Sequence, residues 1–207
     1  MIAIIDYNMG NLASVQNAFT KLGKDTVVES NPENFGKYDK LVLPGVGAFG
    51  DAMEHLREMD MIEAIREFAA SGKPMLGICL GMQLLFESSE EFGSHAGLGL
   101  IQGHVKHFNT EKFEENLKVP HMGWNRMFTK EHPLFDGLDD MHYLYFVHTY
   151  HVECSDENDI IGETYYGYKF TSAVAHKNIM GIQPHPEKSH KNGLKILENF
   201  IKLQEKQ

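Results

Sequence analysis

The stretch Lys73-Pro74-Met75-Leu76-Gly77-Ile78-Cys79-Leu80-Gly81-Met82-Gln83-Leu84-Leu85-Phe86 decides the fold. Its first half is a short apolar run behind a proline, the pattern of a strand buried on both faces. From Met82 to Phe86 the pattern starts a helix. Between them lies Gly77-Ile78-Cys79-Leu80-Gly81, a tight strand-to-helix turn with cysteine at its apex. That is the setting of a nucleophile elbow, with cysteine in place of serine. Glycines two residues to either side let neighbouring backbone approach without a side-chain clash. The thiol then lies at a helix N-terminus, where the dipole favours thiolate. The N–H of Leu80, the residue after the nucleophile, is placed to donate to an oxyanion. Taken alone, a free cysteine at a strand end is more often structural; the turn reverses that preference.

Outward from this turn, strands and helices alternate. Ile2 to Asp6 reads as a buried strand, followed by Leu12, Val15, Phe19 and Leu22 at helical spacing up to Gly23. Thr26 to Val28 and Leu41 to Leu43 are strands. Met53, Leu56, Ile62, Ile65 and Phe68 mark one long helix or two short ones. This βαβ rhythm predicts an α/β fold with a parallel sheet and helices on both faces. The second half is strand-rich, with candidates at Ile101 to Phe108, Tyr143 to Glu153, Ile160 to Tyr165, Phe170 to His176 and Ile179 to Gln183. Glu111 to Lys118 reads as an exposed loop, and Leu194, Leu197, Phe200 and Ile201 close the chain on a helix.

The 207 residues fit one domain, residues 1–207, with 42% hydrophobic and 23% charged residues. A net charge of -10 argues against nucleic acid as a partner, because phosphates need a basic patch. No apolar stretch approaches the ~20 residues of a membrane helix. With only two cysteines, Cys79 and Cys154, the chain is expected to be cytoplasmic with reduced thiols. Cys154 has no elbow and no nearby base, and is expected to be structural.

Gln183-Pro184-His185-Pro186-Glu187 follows the last predicted strand. A histidine and a carboxylate two residues apart, stiffened by proline, can form the base and orienter of a triad. The 12 histidines make this a weak signal until it is paired with the cysteine elbow. Metal binding is the competing use, but neither His-Glu-x-x-His nor paired Cys-x-x-Cys occurs. His142, His148 and His151 share one predicted strand, where alternation puts His151 on the other face. No metal site is expected. Leu43-Pro44-Gly45-Val46-Gly47 also ends a strand, and its glycine-flanked backbone can supply a second oxyanion donor.

These three elements, in this order, resemble the class I, or triad, glutamine amidotransferases, over essentially the whole chain. The resemblance implies a single-domain fold with a mostly parallel, flavodoxin-like sheet. It also implies Cys79 as nucleophile, His185 as general base and acid, and Glu187 as orienting carboxylate, with no cofactor. Tyr7 to Val15 (YNMGNLASV), PGVG at 44–47, GICLGMQLL at 77–85, PHMGWN at 120–125, YFVHTY at 145–150 and HPEKS at 185–189 resemble one branch. That branch is the glutamine amidotransferase subunit of imidazole glycerol phosphate synthase.

Matched position by position, the resemblance implies a glutamine pocket of Gly47, Gln83, Glu91, Thr149 and Tyr150. Without it, Gln83 and Glu91 would read as a solvated helix face. The oxyanion is assigned to Leu80 and the Val46 loop. Asn8 stands where glycine is common and Pro184 where an aromatic residue is usual. The implied partner is a (β/α)₈-barrel cyclase that receives ammonia. Met122, Trp124, Asn125, Tyr145 and Lys188 are expected at that interface. The alternatives are a paralogue feeding ammonia to another synthase, such as a sugar-amidating enzyme, and a catalytically silent binding subunit.

Overall fold

A computed structural model describes residues 1–204 of the chain. In chain order the first half holds β1 (Ile2–Ile5), α1 (Leu12–Lys21), β2 (Thr26–Glu29), β3 (Lys40–Leu43), α2 (Phe49–Glu58), α3 (Met61–Ala70), β4 (Met75–Ile78) and α4 (Leu80–Leu84). The second holds β5 (Phe86–Ser89), β6 (His95–Ala96), β7 (Ile101–His107), β8 (His121–Thr129), β9 (Tyr143–His148), β10 (Tyr150–Cys154), β11 (Ile160–Tyr166), β12 (Tyr168–His176), β13 (Ile179–Ile182) and α5 (His190–Lys202).

The strand order β2-β1-β3-β4-β13 is parallel throughout, the flavodoxin-like arrangement with the last strand in fifth place. Apart from the edge strand β2, which has no buried position, these strands are apolar on both faces because both faces are covered. Ala3 and Ile5 of β1 join Leu41 and Leu43 of β3 in a cluster with α2 and α3. Ile2 and Ile4 point the other way, with Val42, to meet Phe19 of α1 and Leu197 and Phe200 of α5. Beyond β13 the sheet continues antiparallel through β12, β10 and β7. A flange of β11, β8 and β9 extends from β12.

Of the two arrangements left open for the apolar run from Met53 to Phe68, two short helices form, because Asp60 adopts a left-handed φ of 55° between them. Two local expectations are corrected. The helix expected over Met82 to Phe86 begins at Leu80 and ends at Leu84; Phe86 opens β5, pairing with Ile101 of β7. The strand expected over Tyr143 to Glu153 breaks at Thr149: β9 pairs with β8, whereas β10 pairs with β7 and β12. Gln83 and Glu91, expected in a pocket, are both buried, and neither occupies a solvated helix face. Asn8 takes a φ of 66°, a left-handed turn that asparagine tolerates.

Candidate active site

The parallel strands deliver the chemistry at their C-terminal ends, where open α/β sheets place their sites. The Pro44–Gly47 loop follows β3, Cys79 follows β4, and His185 lies three residues beyond β13. Cys79 has φ 55° and ψ −113°, a strained conformation between strand and helix. Steric fit accounts for the flanking glycines. A Cβ on Gly81 would lie 1.8 Å from the Leu43 carbonyl oxygen, and one on Gly77 would lie 2.7 Å from the Gly81 oxygen. The start of α4 thus presses directly on the end of β3. Tyr7, fully buried, donates to the Pro44 carbonyl at 2.7 Å and braces the adjoining loop.

His185 Nδ1 donates to Glu187 Oε1 at 2.7 Å, and both side chains are buried. The His185 backbone N–H donates to the Tyr145 carbonyl at 2.8 Å, so β9 holds the turn in place even with Pro184 preceding it. His185 Nε2 is buried and makes no hydrogen bond of ordinary geometry, which leaves it open to the cavity. Burial opposes a charged imidazole here. Attraction to Cys79 and Glu187 outweighs it and pushes the pKa up to about 10.

A cavity of about 300 Å³ gathers Val46, Gly47, Cys79, Leu80, Gln83, Glu91, Thr149, Tyr150 and His185. Every residue expected in the glutamine pocket or oxyanion site therefore lines one space, with Glu187 behind His185. Pro120, Val147 and His148 also line it. A larger groove of about 680 Å³ around Asn31, Phe35, Glu67 and Lys73 has neither cysteine nor histidine among its walls. Glu91 Oε2 accepts from the Phe49 N–H at 2.7 Å, capping α2, which has no side-chain cap of its own. Burial raises the Glu91 pKa against that hydrogen bond.

The three histidines considered for metal do not converge. His142 and His148 do share the inward face, but His142 bonds the Asp139 carbonyl, His148 bonds His121, and His151 bonds the Tyr168 hydroxyl. Among the described residues no cluster of His, Cys, Asp or Glu could hold a metal ion, and no helix is long and apolar enough to cross a membrane. Cys154 is half-buried, and burial pushes its thiol up to about 12.

Of the residues expected at a partner interface, Met122, Trp124, Asn125 and Tyr145 lie on the flange and Lys188 on the turn after β13. Met122 and Trp124 are exposed on β8, with Trp124 opposite Tyr145 of β9. Trp124 stacks on His190 at 5.0 Å, and Lys188 Nζ lies 5.9 Å from the Tyr145 ring. Asn125 turns to the other side, where its amide bonds His121 and the Tyr165 carbonyl. It serves the interior of the flange instead of its outer face.

A cysteine on a strained strand-to-helix turn, a buried histidine–carboxylate pair and this sheet order define the class: the chain belongs to the class-I glutamine amidotransferase family, whose profile matches residues 3–203. More closely, it is 79% identical over 202 residues to the imidazole glycerol phosphate synthase subunit HisH of Sulfurimonas denitrificans, covering 98% of each chain. It is 55% identical to the subunit of the same name from Wolinella succinogenes, covering 98% of this chain and all of that one. The structure of PurLQS from Thermotoga maritima shares the fold, with a TM-score of 0.76 at 17% identity, covering 97% of this chain and 96% of that one.

Proposed function

We propose that this chain is the glutamine-hydrolysing subunit of an imidazole glycerol phosphate synthase. The observation that carries the reading is the single cavity shared by Cys79, His185 (bonded behind by buried Glu187) and the polar groups of Gln83, Glu91 and Tyr150. Near-full-length identity to subunits of that name supports the choice of synthase.

The Cys79 thiolate attacks the side-chain amide carbon of glutamine. The oxyanion is held by the Leu80 N–H and the Val46 loop, and His185 Nε2 gives its proton to the leaving nitrogen. Ammonia departs and a glutamyl thioester remains. His185, now neutral, takes a proton from water as it attacks the thioester; glutamate is released and the thiolate and imidazolium are regenerated. Glu187 keeps the imidazole in the tautomer with Nε2 facing the thiol.

The liberated ammonia passes to a (β/α)₈-barrel cyclase docked against the flange, which closes the mouth and makes imidazole glycerol phosphate and an aminoimidazole carboxamide ribotide. Met122, Trp124, Tyr145 and Lys188 form the docking surface. Val147 supports this location: it pairs with Met122 on the sheet and also lines the cavity.

The test is Cys79→Ala in complex with the cyclase. Glutamine-dependent synthesis should fall on the order of 10³-fold or more, while synthesis from added ammonium salts persists. Glutaminase activity retained in this variant excludes Cys79 as nucleophile. Loss of both activities excludes a separable glutaminase role.

A further inference from the structure

Gln183 belongs to none of the groups assigned above, yet it touches the reacting atom. It is fully buried, two residues before His185, with its backbone N–H fixed on the Ser172 carbonyl at 2.9 Å. Its side-chain Nε2 lies 3.6 Å from Cys79 Sγ. An amide can be turned either way, so its orientation must come from its neighbours. Here the neighbours dictate it. Gln83 Nε2 lies 3.1 Å from the Tyr150 carbonyl and 3.0 Å from Gln183 Oε1. The carbonyl can only accept, so the Gln83 amide must present its nitrogen there. That nitrogen's second N–H then meets Gln183 Oε1, which forces the Gln183 N–H toward the sulfur. The Tyr150 carbonyl is held in turn by His148 Nδ1 at 2.8 Å, and His148 Nε2 by His121 at 2.9 Å.

We propose that Gln183 is a further catalytic residue: an amide donor to the Cys79 sulfur, aimed by Gln83, that favours the thiolate over the thiol. The physical reason is the balance of groups around the sulfur. The Val147 carbonyl oxygen, 3.9 Å from Sγ, can accept from a thiol but repels a thiolate. A hydrogen bond to the charged form offsets that repulsion in a buried site. The titratable groups around the sulfur and its cavity are His185 from the turn after β13, His148 from β9, Tyr150 from β10, kept protonated by burial, Glu91 from the segment after β5 and Tyr7 from the loop after β1. Glu187 lies behind His185. His148 is held neutral by burial, and Tyr7 is kept protonated by burial and by Cys79. Among these groups only His185 offers the sulfur a positive charge, and Gln183 supplies a neutral donor beside it.

This inference rests on Cys79 being the nucleophile but is tested without glutamine. The full-length chain is alkylated with iodoacetamide across a pH series, and Cys79 and Cys154 are followed separately by peptide mass spectrometry. Alkylation proceeds through the thiolate. In Gln183→Met the midpoint for Cys79 should rise, with the rate below the midpoint falling about tenfold for each unit of rise. Cys154 should stay as protected as in the parent, which reports an intact fold. Gln83→Met, which frees the Gln183 amide to turn, should shift Cys79 in the same direction by about threefold in rate. It also serves if Gln183→Met fails to fold. An unchanged Cys79 midpoint in either folded variant overturns the proposal. Failure of the nucleophile reading would appear elsewhere, as glutaminase activity in Cys79→Ala.

Discussion

The parallel core and the antiparallel flange bury their residues in different ways, and the difference bears on the proposed division between chemistry and docking. Strands β1 and β4 are buried at every position, because helices cover both faces. They leave no surface for a partner, and what they offer is rigid ends. Strand β8 alternates, and over its first five residues the alternation is inverted. Met122 and Trp124 point to solvent, while His121 is buried and Asn125 bonds inward; only further along does Met127 join the core. Exposed Met122 and Trp124 on one outer face suit a surface that another protein covers. Damage to the core should therefore cost activity or folding, and damage to the flange should cost assembly alone.

The largest expected effect tests the core's chemistry. Glu187→Gln should lower glutamine turnover in the assembled complex on the order of 10²–10⁴-fold, since it removes the group that orients and stabilises the imidazolium. It carries a pH signature as well. His185 holds its proton to about pH 10 when folded, against 6.5 ordinarily. Folding therefore takes up a proton between those values, and the pair's stabilisation is complete below 6.5 and fades as pH rises toward 10. The wild-type advantage in melting temperature over Glu187→Gln should shrink across that window, and an advantage that grows with pH contradicts the assignment. Next in size is Gly81→Ala. Its Cβ would lie 1.8 Å from a backbone oxygen, which no side-chain rotation relieves. The core should lose about 3 kcal/mol, read by denaturant melts. Gly123→Ala in the flange, where a Cβ meets nothing within 4 Å, supplies the contrast. Its cost should be limited to strain from a φ of 129°. Equal losses at the two glycines would erase the distinction drawn here.

The same contrast governs what could be read from the sequence. Strands β1, β3 and β4 are legible because burial on both faces leaves an unbroken apolar run. The elbow is legible because its glycines are demanded by contacts within a few residues and with the adjacent strand. Strand β8 is not legible as a strand, since Met122, Trp124 and Phe128 face outward and the inward positions run histidine, glycine and asparagine before Met127. Strand β5 was hidden because Phe86 continues the apolar pattern of α4, and only pairing with β7 turns it into a strand. At the site, Cys79, His185 and Glu187 are close in pattern and were readable as chemistry. Gln83, Glu91, Thr149 and Tyr150 came from resemblance alone, because their shared cavity depends on contacts across the fold. Gln183 gave no signal beyond standing next to the His-Pro-Glu turn. Its partner Gln83 is 100 residues away, a separation that no local pattern records.

The smallest effects belong to the flange. Trp124 is 47% exposed, so it does not belong to the core, and its contacts are with Tyr145 and His190 at the surface. Trp124→Ala should leave the melting temperature of the isolated chain nearly unchanged, since surface substitutions stay within about 0.5 kcal/mol. Affinity for the cyclase should nonetheless fall by about 2 kcal/mol, the size expected of a tryptophan at an interface centre. Lys188 lies one residue from Glu187 and over the Tyr145 ring, within the proposed docking surface. Lys188→Ala removes one charge at the rim and should weaken assembly by less than about 1 kcal/mol. Its effect should appear instead as uncoupling, with glutamate formed in excess of imidazole glycerol phosphate because ammonia escapes where the seal is broken. Titrating each variant against the cyclase, with glutamate and product measured in the same samples, separates the two roles. A Trp124→Ala chain that melts early but binds normally would return the tryptophan to the core. A Lys188→Ala complex with equal glutamate and product would remove the lysine from the ammonia path.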